Sequence, residues 1–187
     1  MPRAFDLLVA TIALAILSPL LLIAAIAIKL TSSGPVVYRQ RRVGRGGREF
    51  EMWKLRTMVQ GSDPVGVGKV VYRDDPRVTA PGRLLRRTSL DEVPNLFNVL
   101  RGEMAIVGPR PTIPAQVDAY TPHQKRRHEV LPGITGWAQV QGRAGIPWEE
   151  RIDLDVWYVD HRTPALDLRI LAKTVYLVLT AQGLAPD

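Results

Sequence analysis

"FDLLVATIALAILSPLLLIAAIAIKL", Phe5 to Leu30, carries no charged residue between Leu7 and Ile28. A run of that length can cross a ~30 Å hydrocarbon core as a helix. It is long for a cleavable leader and no small-x-small site ends it, so it reads as a membrane segment that stays. Pro19 interrupts it. The proline ring removes the hydrogen bond to the Ala15 carbonyl and crowds that turn. The Ser18 hydroxyl can bond a carbonyl one turn back, a repair tolerated in membranes. The break leaves two apolar arms, each roughly 15–18 Å long at 1.5 Å per residue, about half the core. Two such arms can dip in and return to one face, and a kinked helix can instead span. Basic residues lie on both sides, Arg3 before and Lys29, Arg39, Arg41 and Arg42 after. Charge therefore gives no reason to separate the two ends. On these physical grounds alone the kinked spanning anchor is the simpler of the two.

The rest of the chain fits one domain attached to that segment. Its 187 residues can bury a sizeable core. The net charge of +7 points to an anionic partner: phosphate esters, nucleic acid or an acidic membrane surface. The absence of cysteine excludes disulfides and thiolate metal sites, and it suits a cytosol-facing protein.

"TSSGP", Thr31 to Pro35, closes the membrane helix with turn residues. "VVYRQRRVGRGGREFEMWKLRTM" predicts a strand, a glycine turn and a second strand. The turn Gly44-Arg45-Gly46-Gly47 lacks the Gly-Lys-Ser/Thr that would make it a phosphate loop. Seven basic residues against two acidic ones lie between Arg39 and Arg56. Beside a membrane helix such a cluster commonly faces anionic lipid. Gly61 to Gly68 reads as a mobile loop. A helix is expected through Leu96, Phe97, Val99 and Leu100, ending at Gly102. "AIVGPRP" is a short strand and a stiff turn, with Pro109 and Pro111 fixing the backbone around Arg110. Tyr120 to Val130 reads as a basic helix with His123 and His128 solvated, and "LPGITGWAQVQGR" as loop and strand. Trp148 to Asp160 is amphipathic, and 164–182 forms a final helix for the core or the interface. The fold class is α+β.

"RRTSLDEVPNLFNVLRGEMAIVGPRP", Arg86 to Pro111, holds the chemistry. Ser89-x-x-Glu92 has the spacing of a capping box, and Asp91 in a first turn complements the helix dipole. Both acids can therefore be architecture. Against this, Arg86, Arg87, Arg101 and Arg110 are more cations than a cap needs. Neighbouring helical residues point about 100° apart, so Asp91 and Glu92 serve different directions. A carboxylate can be a nucleophile toward phosphorus, given cations and usually Mg²⁺ for the phosphoryl oxygens. With only His123, His128 and His161 and no cysteine, few other nucleophiles exist.

Together with "DDPRVTAPGRLL", "DLDVWYV" (Asp153 to Val159) and the stretches quoted above, these segments resemble the bacterial sugar transferases across nearly the whole chain. The resemblance is to their small monotopic phosphoglycosyl transferases in minimal form. It implies transfer of a phospho-sugar from a UDP-sugar to a polyprenol phosphate such as undecaprenyl phosphate, at the cytoplasmic face of the bacterial inner membrane. This would be the first membrane step of a glycoconjugate pathway. Asp91 would attack the sugar-bearing phosphate, release UMP and hold the phospho-sugar covalently. The lipid phosphate would then displace it, with Glu92 assisting and Mg²⁺ required at Asp91.

The family's phosphate-handling cations fall on Lys54, Arg87 and Arg110, with Arg143 matching as a further one and Asp155 matching without an assigned role. The break at Ser18-Pro19 implies a re-entrant segment, residues 1–30, on a cytoplasmic-face catalytic domain, residues 31–187. Membrane lipid is then a partner, nucleic acid is not, and a homodimer remains compatible. The start "MPRAFD" departs from the family, which often has Lys-Arg before Phe-Asp, and this weakens only interfacial anchoring. Two rivals stand beside this: a membrane-tethered nucleic-acid or lipid binder built on the Arg39–Arg56 cluster, and a phosphohydrolase in which water replaces the lipid.

Overall fold

A computed structural model describes residues 1–62, 75–142 and 145–180. Helix α1 spans Arg3–Thr31. The hairpin strands are β1, Val37–Val43, and β2, Glu49–Leu55. Helices α2 (Ala80–Thr88) and α3 (Asn95–Arg101) follow, then strand β3 (Ala105–Val107) and two short helices, α4 (Pro114–Val117) and α5 (Pro122–Lys125). Strand β4 is Gly133–Thr135, and α6 (Trp137–Gln141), α7 (Trp148–His161) and α8 (Pro164–Leu179) complete the described chain. Most of the expected loop of residues 61–68 lies outside the described residues.

Helix α1 corrects one expectation: helical backbone runs unbroken through Pro19. The reason is local. Pro19 cannot donate to Ala15, and the Ser18 hydroxyl donates to that same carbonyl at 2.9 Å. The orphaned acceptor is satisfied one residue away, so the helix need not stop.

Both ends of α1 pack on the rest of the chain. Near its start Ala10 joins Leu96, Val99, Met104 and Ile106 in the main core. The buried Asp6 carboxylate accepts the Ile106 amide at 3.1 Å, and Arg3 donates to the Met104 carbonyl at 2.9 Å. Near its end Ala24 and Ile28 pack on Leu55 and Leu85. Arg56 donates to the Ser32 carbonyl at 2.8 Å just beyond. The middle of the helix, through Ile16, Leu20 and Ile23, is exposed apolar surface.

The hairpin forms where expected, antiparallel, with Tyr38 opposite Lys54 and Arg42 opposite Phe50. Alternation puts Tyr38, Gln40, Arg42 and Lys54 on one face. Asn98 of α3 fastens β2 from behind: its side chain accepts from Trp53 N at 3.1 Å and donates to Glu51 O at 2.6 Å. Helix α3 ends at Gly102 with φ 83°, the left-handed cap that glycine provides without penalty.

Strands β3 and β4 pair in parallel. Segment 137–141, expected as loop or strand, is helical, and the amide of Val140 bonds the Gly136 carbonyl at 3.1 Å. His128 is not solvated as expected. It stacks on Tyr120 at 6.1 Å, and burial, then the Arg127 charge, push its pKa down to about 4. His123 is exposed, as expected.

Helix α2 starts at Thr79, whose hydroxyl accepts the Gly82 amide at 3.1 Å. Gly82 lies against Thr57, and an added Cβ would sit 2.0 Å from the Thr57 carbonyl oxygen. Alanine for glycine inside a helix ordinarily stabilises by about 1 kcal/mol. Here Gly82→Ala should instead destabilise, by about 1–3 kcal/mol, because backbone must move to admit the methyl group. Thermal unfolding in detergent checks the sign, and a raised Tm would contradict this packing.

Candidate active site

Helix α2 delivers the acidic pair. It ends at Ser89, a left-handed residue with φ 57°, and the chain turns into a single 3-10 turn, Leu90–Glu92. This overturns the expected capping box. A left-handed residue lacks the extended backbone of an N-cap, and the Ser89 side chain caps no amide. The Glu92 carboxylate turns instead to two cations: Lys54 Nζ donates to Oε1 at 2.7 Å, and Arg110 Nη2 donates to the same oxygen at 2.7 Å. Lys54 comes from β2 and Arg110 from the turn after β3. Glu92 therefore joins three separate segments.

Asp91 has no hydrogen-bond partner among the described residues, and it lines an open cavity of about 970 Å³. The wall also includes Tyr38, Gln40, Arg42, Lys54, Arg86, Glu92 and Arg110. This volume lies at the upper end for small-molecule sites, and the lining is strongly cationic. Burial, then the Glu92 charge, push the Asp91 pKa up to about 6, against the pull of Lys54, Arg86 and Arg110. For Glu92, burial acts upward, but the Arg110 and Lys54 charges outweigh it and hold the carboxyl well below the usual range. Two adjacent acids thus differ in kind: Glu92 is ion-paired with its pKa held down, and Asp91 has no hydrogen-bond partner among the described residues and its pKa is pushed up.

The expected site residues Asp91, Glu92, Lys54 and Arg110 come together. Arg87 does not: it is exposed and outside the cavity wall, while Arg86 lines it and donates to Thr57 Oγ1 at 2.8 Å. The physical reason is helical phase. Gly82, Leu85, Arg86 and Ser89 share the inward face of α2, and Arg87 is a further 100° round. Arg143 lies outside the described residues. Asp155 is buried in α7, paired with Arg127 and away from the cavity wall.

Arg42 was not anticipated as a site residue. It donates to Gln40 Oε1 at 2.6 Å and to the Pro111 carbonyl at 3.3 Å. Burial, then Arg110, lower its pKa to about 10. The period of two in β1, with Lys54 opposite Tyr38, is the signal that would have revealed it.

The sequence model described as bacterial sugar transferase matches residues 1–181. The chain belongs to the bacterial sugar transferase family. It is 44% identical over 182 residues to the uncharacterized sugar transferase EpsL of Bacillus subtilis, covering 97% of this chain and 89% of that protein. It is 45% identical to the UDP-glucose:undecaprenyl-phosphate glucose-1-phosphate transferase of Caulobacter vibrioides, covering 97% of this chain and 70% of that protein. The Escherichia coli protein of the same description is 43% identical over 93% of this chain, which spans 39% of its length. This sugar transferase is therefore an enzyme of the transferase class.

Asp91 gives the family assignment a measurable edge. A carboxyl raised from 3.8 to about 6 binds more protons folded than unfolded between those values. Its contribution to stability is therefore lost as pH rises through about 6. Asp91→Asn should raise Tm at pH 7.5 while abolishing turnover, and the gain should vanish near pH 4. A lowered Tm at pH 7.5 would show that Asp91 is a structural acid. Ser89→Gly should raise stability by up to about 1 kcal/mol, since glycine accepts the left-handed backbone freely. A lost cap would have the opposite sign.

Proposed function

We propose that this sugar transferase moves a phospho-sugar from a UDP-sugar to undecaprenyl phosphate, releasing UMP. The observation that carries the proposal is the unequal acid pair: Asp91 in a cationic cavity with no hydrogen-bond partner among the described residues, Glu92 already neutralised by Lys54 and Arg110. Relatives named for undecaprenyl-phosphate sugar-1-phosphate transfer support the donor and acceptor.

In the first step an Asp91 oxygen attacks the sugar-bearing phosphorus. The bond from that phosphorus to the bridging oxygen breaks, and UMP leaves with the electron pair. In the second step a phosphate oxygen of the lipid attacks the same phosphorus and displaces the Asp91 carboxylate, giving a polyprenyl diphosphate sugar. No proton need leave the lipid phosphate once it is ionised. Glu92, held ionised and ion-paired, is poorly suited to be a base and instead keeps Lys54 and Arg110 aimed at phosphoryl oxygens. Arg86 and Arg42 add positive charge where a diphosphate would lie.

Mg²⁺ suits the donor set. Among the described residues no cluster of three or more acids or histidines forms an all-protein cage. Mg²⁺ commonly uses one or two carboxylates plus substrate phosphates. Asp91 would hold it, and when bound it would neutralise diphosphate charge.

The membrane segment is proposed to enter and leave by the cytoplasmic face of the inner membrane. A helix of 29 residues is about 43 Å long at 1.5 Å per residue, more than the ~30 Å core. Yet Asp6 at one end and Ser32 beyond the other are both hydrogen-bonded to the same folded body. A segment seated in one leaflet satisfies both ties and keeps the cavity beside lipid headgroups.

Purified enzyme should release UMP from one member of a UDP-sugar panel with undecaprenyl phosphate and Mg²⁺. UDP-sugar alone should yield up to one UMP per enzyme and leave sugar label on the protein. A strict need for both substrates before any UMP appears would replace the covalent step with direct transfer. For topology, Ala4→Cys in this cysteine-free chain should resist an impermeant thiol reagent in intact cells and react after permeabilisation. Labelling in intact cells would show a spanning helix.

A further inference from the structure

The turn that carries Arg110 contains two prolines, which have no amide hydrogen, so its carbonyls must find donors elsewhere. Each carbonyl from 109 to 112 accepts a hydrogen bond, two from β1, one from β4 and one from Arg127. Pro109 O accepts Gly133 N at 2.9 Å, and Thr112 O accepts Val43 N at 2.8 Å. Pro111 O accepts Arg42 Nη1 at 3.3 Å, and Arg110 O accepts Arg127 Nη2 at 3.0 Å. Among these donors only Arg127 is a fully buried charge. Its side chain is 3% exposed, and its partner Asp155, from α7, is 4% exposed. Its other arm donates to Tyr120 Oη at 2.7 Å. Such a pair is a weak device for stability, because desolvation offsets most of its attraction. It is a strong device for fixing one backbone atom.

We propose that Arg127 and Asp155 are positioning residues for catalysis: the buried pair holds the Arg110 backbone so that its guanidinium stays on Glu92 and over the transferring phosphoryl group. Neither residue touches the cavity; they act through Arg110. This rests on the phosphoryl-transfer reading of the site. It assigns to Asp155 a role that its place in "DLDVWYV" left open. Loosening Arg110 removes positive charge from where the transferring phosphoryl group would lie, while the rest of the cavity wall stays in place.

The double variant Arg127→Met with Asp155→Leu removes both charges together, the substitution least damaging to a buried pair. It should keep its Tm within a few degrees of wild type, lose kcat by ~10–100-fold and show little change in KM for UDP-sugar. Scaling kcat to the UMP burst from UDP-sugar alone makes it independent of the folded fraction, so the reading holds if the double variant folds poorly. Arg127→Lys, which can still donate to the Arg110 carbonyl, should recover part of the lost kcat. Tyr120→Phe, which spares the Arg110 bond, should keep kcat close to wild type. Wild-type kcat in the double variant would overturn the proposal, as would a kcat loss shared equally by Tyr120→Phe. If wild-type enzyme releases no UMP from any UDP-sugar, the underlying function falls instead.

Discussion

The Glu92 carboxylate, held between Lys54 and Arg110, is the contact on which the site depends. Those cations come from the hairpin and from the proline-flanked turn, and Glu92 comes from the 3-10 turn after α2. No two of the three are close in sequence. Without the shared acid, Lys54 and Arg110 would repel one another across a poorly solvated gap. With it they form a cationic floor, and the adjacent Asp91 is left without a hydrogen-bond partner among the described residues. The same desolvation that strengthens the ion pair raises the Asp91 pKa, so the proposed nucleophile and its cationic surroundings arise from one arrangement.

That arrangement is tied to the membrane helix at both of its ends. Asp6 caps the amide of Ile106 in β3, which runs into Gly108, Pro109 and Arg110. Arg56, two residues after Lys54, donates to Ser32 where α1 ends. Thus α1 belongs mechanically to the catalytic body, and Ala10 is as deeply buried as any residue in the main core. Its exposed apolar middle has no protein partner among the described residues, which is what a lipid-facing surface requires.

Much of this was legible in the sequence because it rests on local rules. The hairpin followed from alternation around a glycine turn, and the end of α3 at Gly102 followed from the cap that glycine favours. The acid pair and two of its cations followed from motif resemblance. What escaped notice depended on geometry that one-dimensional spacing leaves open. Ser89 and Glu92 have capping-box spacing, but the box needs an extended first residue, and packing sets Ser89 left-handed. Arg86 and Arg87 are chemically identical, and the phase of α2, fixed by Gly82 against Thr57, chooses between them. Arg42 read as part of a lipid-facing cluster, though its strand partner Phe50 and the alternation of β1 put it in the cavity. His128 looked like one charge among many until Tyr120 stacked on it.

The Ser18-Pro19 pair has a consequence for how such a segment can change over generations. The Ser18 hydroxyl serves the one carbonyl that Pro19 leaves without an amide. In hydrocarbon an unserved carbonyl costs several kcal/mol, so the two residues are not independent. A lineage that first replaces the proline regains the amide, and its serine is then free to drift. A lineage that first replaces the serine passes through an intermediate with a bare acceptor in lipid. The accessible order of substitutions therefore runs one way, and losing the proline is easier than losing the serine that makes it tolerable.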